Sequence, residues 1–564
     1  MGKKIVIVGG VAGGATAAAR LRRLDESAEI VVLERTGFVS YANCGLPYYV
    51  GGVIKEKSAL TLQSPESFKI RFNIDVRVLS EVTAIDRENK TVTVKNLADG
   101  SEYTESYDKL ILSPGAKAMV PDTPGVESRR VLKLRTVEDA LEMRRIVEEE
   151  KPERAVVVGG GFIGLEAAEN LMEAGVRVTL LQRSEQVLPP LDWDMACELH
   201  DHMRKKGLDL RFKHSVESYE EIPGGVRVHV VGKESIDCSF VVLAVGVVPE
   251  SELAKAAGLA LGPKGSIDVD SHMRTSDPDI YAVGDAVPVL DPLTGKLKLT
   301  PLAGPANKQG RIAADNICGI DSEYKGTIGS TVIKVFDLTA ACTGLNEKAA
   351  KAAGIAYERI VGYWGNHAGY YPGAENMLVK VLFAPDTGRI LGAQIVGPAG
   401  VDKRIDVFAT AIRAGLTGAD LAELELSYAP PYGSAKDPVN MCGFMIENIR
   451  AGIVKQFHWD QVAALPRDGS VTLLDVRNPG EYARGHIDGA VNIALDGIRE
   501  HLDELDKSKP VYVNCFSGMR SYIACRILSG NGFDCYNLSG GWRFYDLTQR
   551  GKADNEHYPC GERK

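Results

Sequence analysis

Ile5-Val6-Ile7-Val8-Gly9-Gly10-Val11-Ala12-Gly13-Gly14 opens the 564-residue chain as a β-branched run that breaks into glycines. Such a run reads as a buried parallel strand. An Ala-rich helix follows, to Leu24. Glycines at the turn let the backbone approach a pyrophosphate, which then meets the helix N-terminus. Val11 stands where a GxGxxG loop has its middle glycine, so the loop is a variant. Glu34 lies 20 residues past Gly14, at the end of Ile30-Val31-Val32-Leu33. An acid there is placed to accept from ribose hydroxyls.

The pattern returns at Ala155-Val156-Val157-Val158, followed by Gly159-Gly160-Gly161-Phe162-Ile163-Gly164 and a helix expected from near Leu165. The next strand, Val176 to Leu181, ends at Gln182-Arg183. Gln182 lacks the carboxylate that would favour NADH, and Arg183 is suited to a 2′-phosphate, so NADH and NADPH both stay open. Two such loops imply one fixed and one exchangeable dinucleotide. A third strand, Asp279-Ile280-Tyr281-Ala282-Val283, ends in Gly284-Asp285, a carboxylate placed for a polyol chain.

Ten residues beyond Glu34 stands a lone cysteine in Ser40-Tyr41-Ala42-Asn43-Cys44-Gly45-Leu46-Pro47-Tyr48. Gly, Pro and Asn around Cys44 turn the backbone rather than continue a strand. Beside a flavin, one thiolate can attack a disulfide and be left as a mixed disulfide. Because the thiolate is the reactive form, the site is expected to lower the usual pKa of about 8.5.

Composition narrows the class. The length suggests about three or four domains. Net charge is −9, from 66 basic and 75 acidic residues, which argues against a nucleic-acid surface. No apolar run approaches the roughly 20 residues of a membrane helix. Met1-Gly2-Lys3-Lys4 leads straight into the first strand without a signal-peptide core. Ten scattered cysteines with no CxxC read as reduced, cytosolic thiols. No metal site is expected.

Taken together, the first loop with Glu34, Leu112-Ser113-Pro114-Gly115-Ala116, the second loop, Ala244-Val245-Gly246-Val247-Val248-Pro249 and Tyr281-Ala282-Val283-Gly284-Asp285 resemble the FAD-dependent pyridine nucleotide-disulfide reductases. The resemblance implies an α/β fold. It has two Rossmann-like domains, the first for FAD and the second for NAD(P)H, and an α+β dimerisation domain. The expected boundaries are 1–112 and 250–325 for the two FAD halves, 113–249 for the NAD(P) domain and 326–446 for the dimerisation domain. FAD and nicotinamide contacts are then expected at Gly9, Val11, Ala12, Gly13, Gly14, Glu34, Arg35, Asn43, Ser113, Pro114, Gly115, Gly284, Asp285 and Pro301, and at Gly159, Gly161, Phe162, Ile163, Gly164, Gln182, Arg183 and Gly246.

Within that family three branches compete. Dithiol reductases use CxxxxC, but the fifth residue after Cys44 is Tyr49. Single-cysteine oxidases and peroxidases pair the thiol with a histidine early in the chain, but the first histidine here is His200. The SFxNCxLPY-type motif of the coenzyme A-disulfide reductases matches Ser40 to Tyr48, with Tyr41 in the Phe place. By that resemblance coenzyme A supplies the second sulfur, and Thr16, Arg20, Arg23, Ser40, Asn43, Arg71, Asn307 and Lys436 match substrate contacts. A C2 homodimer is implied, with Tyr370 and Tyr428 reaching Cys44 of the other subunit as proton donors. Tyr371 and Tyr432 are rivals for that role.

A second module begins after Ala451-Gly452. Val511-Tyr512-Val513-Asn514 delivers Cys515-Phe516-Ser517-Gly518-Met519-Arg520-Ser521 into a helix. Converging N–H groups at such a turn stabilise a thiolate. The stretch resembles a single-domain rhodanese, expected over 460–564 after a linker at 447–459. With four residues between Cys515 and Arg520, the loop is one shorter than a cysteine phosphatase's and suits sulfane sulfur. The linker would reach at most about 45–50 Å, enough to bring the module to either Cys44. The expected function is a cytoplasmic, FAD-dependent NAD(P)H reductase of coenzyme A persulfide, polysulfide or coenzyme A disulfide. Carried beside it are an NADH oxidase or peroxidase with an accessory rhodanese, and a thiol redox sensor or binding flavoprotein.

Overall fold

The computed structural model describes residues 2–557. The chain forms two compact units: residues up to 183 with 213–327, and 184–212 with 328 onward.

The first unit holds two parallel sheets. One has the order Ile280–Ala282, Lys109–Leu112, Lys4–Val8, Glu29–Leu33, Asp75–Arg77. Its middle strand is covered on both faces, with Val6 and Ile7 fully buried, as a β-branched parallel strand requires. Helix Ala12–Leu24 packs on helix Ala303–Ile317 at very close range; a Cβ on Gly310 would lie 2.3 Å from the Gly13 carbonyl oxygen. The late strand 280–282 thus returns to the sheet begun at residue 4, across the intervening second sheet. There Arg177–Gln182, Arg154–Val158, Phe240–Leu243 and Val131–Leu132 run parallel in that order. Three antiparallel strands, Val216–Ile222, Gly225–Val230 and Ile236–Cys238, close one core with Val156, Val158 and Leu243. Helix Phe162–Glu173 starts earlier than the sequence suggested, because Gly161 already serves as its N-cap.

The second unit has an antiparallel sheet ordered Thr331–Val335, Leu338–Gly344, Ile390–Gly397, Asn376–Phe383, Glu358–Gly365. A parallel sheet follows, ordered Lys455–Phe457, Cys535–Leu538, Val511–Asn514, Thr472–Asp475, Val491–Asn492. The expected linker at 447–459 is not a free tether. Helix Pro438–Arg450 takes up residues 447–450 of it, and Lys455–Phe457 already pairs with Cys535–Leu538. The module is also fastened to strand Glu358–Gly365. The Val361 N–H donates to Ser539 Oγ at 3.0 Å, Gln456 Nε2 to the Arg359 carbonyl at 2.7 Å, and Arg359 to Asp460 at 2.6 Å. An extended reach of tens of ångströms is therefore excluded.

Lys380 is fully buried among Asp192, Asp194 and Glu347, at 3.0, 2.9 and 2.5 Å. These three acids are the one group with metal-ligand spacing among the described residues, and the lysine ammonium fills it. Trp459 Nε1 donates to Asp194 at 3.0 Å, so the same cluster also receives the second module. None of the described helices is long and apolar enough to cross a membrane.

Candidate active site

The first glycine loop forms a cradle that side chains would fill. Gly9 is left-handed (φ 92°), and a Cβ there would sit 2.1 Å from the Ser113 carbonyl oxygen. A Cβ on Gly14 would sit 1.9 Å from the Gly9 oxygen. Helix Ala12–Leu24 has no side-chain cap, whereas Thr136 and Asp139 form a full capping box on helix Val137–Arg145. The uncapped N–H groups are left for an anion. Glu34 Oε2 accepts from the Gly10 N–H at 2.9 Å and Oε1 from Thr36, which fixes the carboxylate at the loop. Gln309 accepts from the Gly284 N–H at 2.8 Å, while its own Nε2 is buried without a protein partner. Burial raises the Asp285 carboxyl, opposed by Arg135, whose Nη2 donates to it at 3.2 Å. These features fit FAD: bare backbone for its pyrophosphate, Glu34 for ribose, Asp285 and Gln309 for a hydroxylated chain. Arg35 is half-turned to Glu250 at 2.6 Å, and Pro301 is exposed.

The second loop repeats this chemistry. A Cβ on Gly164 would lie 1.9 Å from the Gly159 oxygen, and one on Gly159 would lie 2.3 Å from the Ala244 oxygen. Gly161 and Gly246 face open space. Gln182 Oε1 accepts from the Gly160 N–H at 3.0 Å, the same tie that Glu34 makes in the first loop. A neutral amide thus replaces the charge without losing the geometry. Arg183 is exposed beside it.

Cys44 lies in a short helical turn, Asn43–Gly45, and is exposed on one side. Ser40 holds the turn in a left-handed conformation (φ 47°), its N–H donating to the Gly10 carbonyl at 2.8 Å. Contrary to expectation, the protein raises the thiol pKa. Burial of its inner side is the main cause, then the Glu166 charge; Arg135 pulls the other way. Asn43, with its carboxamide nitrogen donating to the Arg135 carbonyl at 3.0 Å, accepts from the Arg135 guanidinium. Arg135 and Glu166 are thus neighbours of the site that motif reading missed, while Tyr48, which ends the Cys44 motif, had been given no role. Arg135 directly precedes the Thr136-x-x-Asp139 capping box, and Glu166 is the first charged residue of the helix that follows the second glycine loop; those were the available signals.

Glu166 is pushed up to about 7, chiefly by burial, and accepts weakly from Tyr48 at 3.4 Å. Its proton is therefore kept below about pH 7 and lost above it, where the new charge opposes a Cys44 thiolate. Glu166→Gln is expected to lower the Cys44 thiol pKa by about one unit. The pH dependence of alkylation of the reduced holoenzyme measures this; an unmoved midpoint would remove Glu166 from the account.

The expected coenzyme A contacts fall into groups. Thr16 donates to Asn307 at 2.6 Å, and Arg20, on the same helix, pairs with Asp315 at 2.7 Å. Arg23 and Arg71 are exposed. Arg22, the remaining cation of that helix, is buried and donates to the carbonyls of Phe72, Asp25, Glu26, Ala28 and Asn73, a structural use. Lys436 is an exposed residue of the second unit, and so are Tyr370 and Tyr428, whose hydroxyls meet at 2.7 Å. That hydrogen bond raises the Tyr370 phenol. Tyr432 is exposed, while Tyr371 stands edge-on to His367.

Cys515 is buried at the end of Val511–Asn514. Its Sγ accepts from the Gly518 N–H at 3.1 Å and Ser521 Oγ at 3.2 Å. Trp542 N–H donates to the Cys515 carbonyl at 2.7 Å, and Gly518 is left-handed (φ 101°) to turn the loop. Arg520 makes two 2.7 Å hydrogen bonds to Glu481, another residue the sequence reading passed over. The other described cysteines form no disulfide and are buried, except the half-buried Cys318. Cys560 lies outside the described residues.

Residues 3–310 match the pyridine nucleotide-disulphide oxidoreductase family, 330–437 its dimerisation domain and 458–546 a rhodanese-like domain. The chain therefore belongs to the pyridine nucleotide-disulphide oxidoreductases, flavin- and nicotinamide-dependent enzymes, and carries a rhodanese-like domain in addition. It is similar to the crystal structure of reduced CoADR-RHD from Bacillus anthracis, at 49% identity and TM-score 0.95, covering 98% of this chain and 99% of that one. The NAD-dependent persulfide reductase of A. fulgidus is 40% identical, with TM-score 0.90, covering 96% and 99%. The coenzyme A disulfide reductase of Staphylococcus haemolyticus is 36% identical over 451 residues, which are 79% of this chain and all of that protein.

Proposed function

We propose that the protein uses NADH or NADPH to reduce coenzyme A persulfide, polysulfide or coenzyme A disulfide at Cys44, and that Cys515 carries sulfane sulfur. The observation that carries this is the solitary Cys44 beside the first dinucleotide cradle, in a chain that builds a second sulfur-directed loop at Cys515. Cys44 attacks the substrate sulfur, the sulfur–sulfur bond breaks, and the leaving thiolate or hydrosulfide departs with the bonding pair. FAD, when bound, would supply two-electron redox chemistry beside Cys44. Gly9, Gly13, Gly14, Glu34, Ser113 and Asp285 would hold it, and the Gly159–Gly164 loop with Gln182 would hold the nicotinamide nucleotide.

Thr16, Arg20, Arg23, Ser40, Asn43, Arg71, Asn307 and Lys436 are assigned to coenzyme A. Exposed Tyr370, Tyr371 and Tyr432 in the dimerisation-domain match support a homodimer. The linked phenols of Tyr370 and Tyr428 then protonate the leaving thiolate at the other subunit's Cys44. Nine described cysteines, none of them in a disulfide, favour a reducing, cytoplasmic setting.

Incubating holoenzyme with coenzyme A disulfide tests both assignments. Peptide mass mapping is expected to find one coenzyme A on Cys44. Tyr370→Phe with Tyr428→Phe is expected to slow its formation about 10²-fold. Label on any other cysteine, or an unaffected double variant, would contradict the respective assignment.

A further inference from the structure

The pairing of Arg520 with Glu481 bears on what the second sulfur site accepts. Arg520 stands five residues after Cys515, where a cationic fork would otherwise face an anion entering the loop. Here the ends of the fork are taken: Nη1 donates to Glu481 Oε2 and Nη2 to Oε1, both at 2.7 Å. Glu481 is itself held, since the Asn478 N–H donates to Oε2 at 3.0 Å in a capping box at helix Pro479–Ala483. Arg520 pushes the carboxyl down to about 2, so it stays ionised at working pH. The loop's only guanidinium is thus neutralised, and Cys515 Sγ is left with two uncharged donors, Gly518 N–H and Ser521 Oγ. The loop also carries exposed apolar side chains. Phe516 and Met519 are 42% and 49% exposed, and Ile523, one helical turn past Met519, is 40% exposed.

We infer that Glu481 is a positioning residue that sets the donor class of Cys515, disfavouring the dianion thiosulfate and selecting persulfides of organic thiols. This deepens, and rests on, the assignment of Cys515 as a sulfane-sulfur carrier. Dianionic thiosulfate needs an unpaired cation, and the bidentate carboxylate both occupies the fork and repels the newcomer. At its reacting sulfurs an organic persulfide brings a single negative charge, with any further charges held away on the carbon skeleton, and that skeleton can be covered by the Phe516, Met519 and Ile523 rim. The transfer is balanced. The Cys515 thiolate attacks the outer sulfur of R–S–S⁻, the new Sγ–S bond forms as the old S–S bond breaks, and RS⁻ leaves with the electron pair. One sulfane sulfur has moved, with no net oxidation and no proton required.

Full-length holoenzyme, with thiols reduced beforehand, is offered glutathione persulfide or thiosulfate. Gain of one sulfur on the Cys515 peptide is followed by mass over time. The native protein is expected to load from the persulfide at least about tenfold faster. Glu481→Gln keeps the N-terminal capping pattern of its helix, since a glutamine can replace the acid there. It is expected to move the persulfide-to-thiosulfate ratio about tenfold toward thiosulfate, and Glu481→Asp, which restores the charge, to return it most of the way. A merely structural role would slow both donors together and leave the ratio fixed; that result, or native preference for thiosulfate, overturns the inference. Loading from neither donor at Cys515 of the native protein would instead overturn the carrier assignment beneath it.

Discussion

Cys44→Ser lowers NADH-dependent reduction of coenzyme A persulfide by at least about a thousandfold, because a serine hydroxyl is not ionised near neutral pH and cannot displace a sulfur leaving group. Reduction of an artificial one-electron dye by NADH persists, since that route needs the two dinucleotide cradles and not the thiol. Cys515→Ser gives the complementary pattern: no sulfur is loaded on the rhodanese-like domain, yet preformed coenzyme A persulfide is still reduced. Sulfide release and NADH oxidation, followed side by side in the two variants, check the division of labour. If Cys515→Ser abolishes reduction of the preformed persulfide, the two loops do not act separately. If both native and Cys44→Ser protein consume oxygen rapidly without any sulfur substrate, the oxidase alternative gains instead.

Lys380→Met destabilises the second unit by about 3–5 kcal/mol, the usual cost of leaving buried charges without their partner. The ammonium is enclosed by Asp192, Asp194 and Glu347 with no exposure to solvent. Methionine fills the volume, so the loss isolates charge rather than packing. The acids hold the Lys380 pKa well above its ordinary 10.5, despite burial. The stability it adds is present below pH 10.5 and fades only as pH climbs beyond it. Lys380 and Arg359 overcome burial to hold Glu347 well below its ordinary 4.5, so its share is present above that pH and lost on acidification. Asp192 has the opposite sign, because burial and its acidic neighbours outweigh the lysine. Urea unfolding followed through Trp193 and Trp459 fluorescence measures the effect, and adding Glu347→Gln to Lys380→Met is expected to recover part of it. A midpoint unchanged by Lys380→Met would contradict the account.

Much of the architecture was legible because it rests on short-range rules. A strand that ends in Gly9 or Gly159 must turn with positive φ and pack against a neighbouring carbonyl, which only glycine permits. The same holds at Cys515, where strand, loop and helix are contiguous. What stayed hidden depends on residues far apart in sequence. Arg135 reaches Asp285 across 150 positions, and Lys380 meets Asp194 across 186. No periodicity announces such pairs. Arg22 stands between Arg20 and Arg23 in the sequence with nothing to set it apart, yet its side chain points inward to carbonyls that only the folded chain assembles. The Cys44 thiol was misjudged for a related reason: the motif marks the nucleophile, but its ionisation is opposed chiefly by the burial that the fold creates and then by Glu166, on a helix far along the chain.

Strand Glu358–Gly365 is last in its sheet, and Ser539 and Gln456 occupy its outward main-chain groups at Val361 and Arg359. Relatives of about 450 residues manage without the segment that supplies these two side chains. In this protein a shortened version ending near residue 450 would bare an edge strand, whose unpaired N–H and C=O groups invite another chain to add alongside. The fused domain is therefore also a cover for its neighbour's open sheet edge, and stand-alone reductase cut from this sequence would trade sulfur chemistry for stickiness.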